Sequence, residues 1–170
     1  MTDVIDAISG LDTAQSVALR GHRPDVVSSA QASYEALLPQ SLDADPVPGF
    51  ALPTRLLVAA RSARLEHSPA ALAHYSERLS AHPEQSALLA FVESGPDRGA
   101  GLLASRRERA ILRHVELLVA RPAATTASDL DALTAAGLTP AEIVVLSQIV
   151  AFVSFQVRIA HGLTVLKGTL

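Results

Sequence analysis

Five side chains late in the chain are of the types from which a small-molecule site is made. Glu108, His114, Arg121, Thr125 and Asp129 supply a carboxyl, an imidazole, a guanidinium, a hydroxyl and a second carboxyl within a short span. A guanidinium holds a carboxylate through paired N–H donors, and an imidazole or carboxyl of suitable pKa moves protons. Arg121 precedes Pro122, so its side chain is expected either to hold an anion in a pocket there, to pair with Asp129 or to cap a helix end. Thr125, Thr126, Ser128 and Asp129 form a polar cluster, of which Thr126 and Asp129 also have the spacing of a helix capping pair. His114, with Glu116 two residues on, is expected on the solvated face of an amphipathic helix.

The remaining histidines are less suggestive. His67, His74 and His82 lie seven and eight residues apart and lack the acidic neighbour of an H-E-x-x-H zinc motif, so no metal is expected. His161 stands before Gly162, where it is expected to donate to the last carbonyls of a helix. Arg158 sits in the most apolar stretch of the chain and is expected to need an acidic partner. The glycine-rich stretch Ser94 to Gly101, SGPDRGAG, lacks the strand, helix and Lys of a phosphate-binding loop, and no cofactor is expected.

Composition narrows the chemistry. The 170 residues contain no cysteine, which removes thiolate catalysis, thiol redox cycling and thiolate metal sites. A net charge of −3 without a basic cluster argues against nucleic acid. The N-terminal MTDVIDAISG has two Asp and no basic residue before its apolar part, unlike a secretory signal, so a cytoplasmic protein is expected. No membrane span is expected either, because Ser147, Gln148, Ser154, Gln156 and Arg158 interrupt the apolar C-terminal run.

Helices must position these groups. Thr2 and Asp12 are placed to cap short helices ending at Gly10 and near Arg20, and a third spans Pro24 to Leu38. Four prolines between Pro39 and Pro53 predict a loop. Helices are then expected over Thr54–Glu66 and Pro69–Ser80, from Pro83 with Leu88, Leu89 and Val92 inward, from a Ser105/Glu108 capping box to Val119, and from Thr126 to Gly137. The longest runs from Thr139, with Pro140 and Glu142 marking its start, to Gly162, and is expected to be the buried element around which the rest wraps. No strand is expected. The whole, 1–170, is expected to be one all-α domain of about eight helices: an N-terminal helical layer (1–38), a Pro-rich loop (39–53) and a main body (54–170).

The run ALTAAGLTPAEIVVLSQIVAFVSFQVRIAHGL resembles the carboxymuconolactone decarboxylase family, which includes the alkylhydroperoxidase D-like (AhpD-like) proteins. Its A-A-G-L-T turn, Ala135 to Thr139, leads into a long helix ending Arg158 to Leu163, as in the family. The N-terminal stretch DVIDAISGLDTAQSVALRGHRPDVVSSAQASYEALL looks like a subgroup known only as domain proteins of that family. The resemblance implies an AhpD-like helical bundle. It also implies a C-x-x-C-x-x-x-H site with an upstream Glu, but those motif positions hold Pro122, Thr125 and Asp129, and the Glu position lies nearest Ala110, between Glu108 and Glu116. A weaker match in TRLLVAARSARLEHSPAALAHYSERL suggests a helix-pair pseudo-repeat, with His74 at the motif histidine and His67 and Ala70 at the cysteines.

With both thiols missing, the peroxidase and disulfide-reductase activities of the family are not expected here. What the resemblance then implies is a catalytically silent, homo-oligomeric scaffold (dimer, trimer or hexamer) or a partner subunit of a CxxC-bearing relative. The alternative is a non-redox lyase or isomerase acting on a small carboxylated substrate, with Arg121 holding it and a histidine or Glu108 as acid and base. A small-molecule binding protein is the third possibility.

Overall fold

Capping residues and prolines set out a succession of helices. The computed structural model describes residues 3–40, 49–82, 88–94 and 105–168. Among these it has nine α-helices: α1 (Val4–Ser9), α2 (Thr13–Arg20), α3 (Pro24–Leu37), α4 (Leu52–Leu65), α5 (Pro69–Ser80), α6 (Leu89–Ser94), α7 (Arg106–Ala120), α8 (Ala127–Ala135) and α9 (Pro140–Lys167). A single 3-10 turn, Pro122–Ala124, separates α7 from α8, and there is no strand among the described residues.

Reciprocal capping boxes among the described residues include Asp12 with Gln15, Ser105 with Glu108, and Thr139 with Glu142. Each satisfies two backbone amides that would otherwise lack an intrahelical partner. Asp3 caps α1 by accepting from the Ile5 and Asp6 amides at 2.9 and 3.2 Å; Thr2, the expected cap, lies outside the described residues. The expected opening at Pro83, the stretch 95–101 and residues 41–48 of the Pro-rich segment also lie outside them. α4 begins at Leu52, slightly before the expected Thr54, with Pro53 in its first turn.

Two expectations about the long helix are corrected. α9 does not stop at Gly162 but continues to Lys167, giving 28 residues and a length of about 42 Å. Gly162 has open space around its α-carbon and simply continues the helix. Nor is α9 the most enclosed element. Val144, Phe155, Ile159, Val165 and Leu166 remain exposed along it, whereas α4 is buried at every position from Arg55 to Ala63. α4 packs against α5, α6, α7 and α9, and its Ala59, Ala60 and Ala63 allow these helices to approach closely where aromatic side chains would hold them apart.

α9 is also long and apolar enough to cross a bilayer, with a mean hydropathy of 1.9 in its most apolar 18-residue window, which the sequence reading did not anticipate. Its inner side is engaged with protein instead: Val145, Leu146, Ile149, Val150, Val153 and Val157 join the common core, and Gln156 accepts a hydrogen bond from the Tyr75 hydroxyl. α1 and α3 cover part of its surface. The N-terminal layer is tied internally by Arg20, which pairs with Asp3 at 2.6 Å and with Asp6, and Lys167 donates to the Gly10 carbonyl at 2.5 Å.

The α4–α5 and α8–α9 turns share one backbone pattern. Ser68 N–H donates to Ala63 O and His67 N–H to Arg64 O; Leu138 N–H donates to Leu133 O and Gly137 N–H to Thr134 O. This closure places one residue in the left-handed region. Gly137 (φ 89°) adopts it freely, but the equivalent residue in the first turn is His67 (φ 56°), the one non-glycine residue with positive φ among those described. A Cβ in that region costs about 1–2 kcal/mol, part of which a glycine gives back in unfolded-chain entropy. His67→Gly is therefore expected to stabilise the fold by about 0.5–1 kcal/mol in urea unfolding; loss of stability would show that the imidazole has a structural role.

Candidate functional site

α7 presents two faces. Ile111, Leu112 and Val115 enter the core, while Ala110, Arg113, His114, Leu117 and Arg121 recur at three- and four-residue spacing along the neighbouring stripe. On α8, Asp129, Ala132 and Leu133 form the matching stripe. The space between them is a cleft of about 540 Å³, closed at one side by Leu65 from the end of α4. Such a volume lies within the range of small-molecule sites.

Of the side chains that the sequence singled out, the cleft brings together His114, Arg121 and Asp129, and adds Glu116 and Arg113. His114 differs most from expectation: it is 4 % exposed rather than solvated. Its Nδ1 is buried without a hydrogen-bond partner. Burial pushes the His114 pKa down, and the Asp129 carboxylate opposes this only in part. The ring is thus neutral at neutral pH, with Nδ1 uncommitted to any protein group.

Asp129 is held from behind. The Thr126 amide and hydroxyl each donate to its Oδ2 at 2.8 Å, and these bonds, together with His114 and Arg113, keep its carboxyl below the ordinary range. Arg121 ends α7, its amide donating to the Leu117 carbonyl, and its side chain is exposed at the cleft without an ion pair to Asp129. Glu116 is fixed by a short ion pair with Arg61, which reaches out of α4 and also donates to the Val92 carbonyl at 2.8 Å.

The other candidates lie elsewhere. Glu108 is spent on the α7 cap: its Oε2 accepts from the Ser105 amide at 2.7 Å, and it does not line the cleft. Thr125 closes the 3-10 turn, with its hydroxyl buried and unpartnered but outside the cleft lining. His74, on α5, shares a hydrogen bond of 2.8 Å with the Tyr34 hydroxyl, which also accepts from Arg78 at 2.6 Å. Arg158 has the acidic partner expected of it, Glu66 at 3.7 Å, but its side chain is 74 % exposed rather than buried in the apolar helix. His161 is in mid-helix rather than at a terminus, since α9 runs past it. Arg113 was not foreseen at the cleft, whereas Glu116 was named as a flank of the family's Glu position and expected on the solvated face; these i−1 and i+2 neighbours of His114 reach the cleft because the stripe is wider than one residue. No group of three or more His, Asp or Glu suited to a metal occurs among the described residues.

Burial lowers the pKa of both His114 and His74 from 6.5, so the unfolded chain binds more protons than the folded one between the folded values and about pH 6.5. Stability is therefore fully present above pH 6.5 and is lost as pH falls through that window. His114→Gln is expected to flatten this dependence in urea titrations between pH 7 and pH 5. Asp129→Asn, which removes the opposing charge, is expected to lower the His114 pKa further when its ring protons are followed by NMR.

No family model and no curated protein matches the chain. Among solved structures it is similar to the AhpD core of an uncharacterized peroxidase-related protein from Ralstonia eutropha JMP134, with 16 % sequence identity over 91 % of this chain and 85 % of that one and a TM-score of 0.69. At that identity the likeness establishes architecture, and the all-helical arrangement described above is an AhpD-like fold without a cysteine.

Proposed function

We propose that the chain is a non-redox AhpD-like protein whose α7–α8 cleft binds a small carboxylated molecule and moves one of its protons. The observation that carries this reading is a buried, neutral and unpartnered His114 in the same cleft as two arginines, Arg113 and Arg121, that form no ion pair among the described residues. The solved relative is peroxidase-related, but thiol chemistry does not transfer to a chain with no cysteine.

In this reading the guanidinium of Arg121, with Arg113 farther along α7, holds the substrate carboxylate. His114 takes a proton from the carbon beside that carboxylate and returns it to a different carbon, so that a double bond moves and no electrons leave the substrate. Asp129 faces the imidazolium that exists between the two transfers, and its charge offsets part of the burial penalty. Leu65, Leu117 and Leu133 exclude water from one side.

The test is a panel of small carboxylic acids and lactones incubated with the protein in D2O and followed by NMR. Deuterium is expected to appear beside the carboxyl group of at least one compound, with a loss of about 100-fold or more in His114→Gln and a raised KM in Arg121→Gln. Compounds that neither exchange nor perturb the His114 ring would overturn the reading.

A second reading, that of an oligomeric scaffold or partner subunit, is favoured by the exposed side of α9. Val144, Phe155, Ile159 and Leu166 lie open there, and Phe152 stacks on Phe155 at 6.1 Å between ring centroids. In this reading a further copy, or a CxxC-bearing relative, covers that side. Light scattering after size exclusion is expected to give an assembly that the double substitution F155E/I159E reduces to monomer; a wild-type monomer that also fails to co-elute with such a relative would eliminate it.

A further inference from the structure

We propose that the groove between the α4–α5 turn and α9 is a second binding site, for a small organic monocarboxylate. The groove encloses about 630 Å³, and Ile8 of α1 with Val157 and Ala160 of α9 give it an apolar floor. Three nitrogen-bearing side chains border it: Arg158 and His161, three residues apart on one face of α9, and His67 from the facing turn.

Arg158 has donor capacity to spare. Its recorded ion pair reaches Glu66 from one terminal nitrogen at 3.7 Å, beyond hydrogen-bond length, and the side chain is 74 % exposed. Glu66 is committed elsewhere: its Oε1 accepts from the Ser154 hydroxyl at 2.5 Å, and its side chain is 15 % exposed. Glu66 lines the groove as well, and its carboxylate leaves the Arg158 donors unsaturated there.

His67 is the second observation. It occupies a left-handed turn position that glycine fills in the α8–α9 turn, and the side chain kept there at the expense of backbone strain is an imidazole that borders the groove. The class of ligand follows from the charge balance. Arg158 and Glu66 offset each other's charge, and the two imidazoles add ring N–H donors, so a monoanion with an apolar body suits the groove better than a compact dianion.

Benzoate is the probe, titrated into the full chain carrying Arg121→Gln so that the α7–α8 cleft is disabled and the two sites are read separately. The ring signals of His67 and His161 are expected to shift together and saturate, while His114 stays still. Arg158→Gln, at an exposed position, is expected to weaken benzoate about fivefold, and His67→Gly to weaken it while leaving the fold at least as stable. Inorganic phosphate is expected to compete poorly. Linear shifts without saturation, an unchanged affinity in Arg158→Gln, or phosphate displacing benzoate at concentrations comparable to benzoate's own would each overturn the proposal.

Discussion

Two arginines in the centre of the molecule constrain everything packed around them. Arg55 and Arg61 belong to α4, the most enclosed helix, and are 1 % and 7 % exposed. A buried cation left without partners costs several kcal/mol, comparable to the whole stability of a domain. Each therefore requires oxygen atoms to be brought to it. Arg55 Nε donates to the Phe50 carbonyl at 2.7 Å, drawing the segment before α4 against the helix, and Arg61 binds the Val92 carbonyl of α6 and the Glu116 carboxylate of α7. The placement of α7, and with it one wall of the cleft, follows from satisfying Arg61.

The cleft depends on a second balance, between enclosure and charge. Burial of His114 favours its neutral ring, yet Asp129 on α8 carries a charge that favours the protonated one. Thr126 holds that charge in place through two hydrogen bonds, so the cap of α8 is also the electrostatic support of the imidazole. Glu142 shows the same economy at the start of α9. Burial raises its pKa, but the Thr139 amide and hydroxyl and the Arg107 guanidinium together outweigh this and keep it ionised. Arg107 also donates to the Gly137 carbonyl at 2.6 Å, linking α7 to the α8–α9 turn.

Most helix boundaries were legible because they rest on local chemistry: Ser105 with Glu108 and Thr139 with Glu142 act within four residues of themselves. The end of α9 was not, since Gly162 carries a stop signal only when the chain beyond it turns away, and here Leu163 remains packed in the core. The central position of α4 was hidden by its own arginines, which read as surface residues until distant carbonyls are brought to them. The site was half legible. Arg121 and Asp129 were placed together by their nearness to a helix break, whereas His114 was misread as solvated, because its cover comes from elements packed on α7 and not from α7 itself. Glu108 shows the converse: the capping pattern that located the helix also consumed the carboxylate.

The paired turns after α4 and α8 are closed by backbone groups alone: amides of Ser68, His67, Leu138 and Gly137 reach carbonyls of the preceding helix. The closing bonds run between backbone groups, while the Arg107 side chain braces the second turn from outside at the Gly137 carbonyl. A chain of this architecture can carry imidazole or thiol, threonine or cysteine, beside such a turn on the same backbone path. Structural likeness between two proteins of this kind is correspondingly durable, and it outlasts any shared reaction.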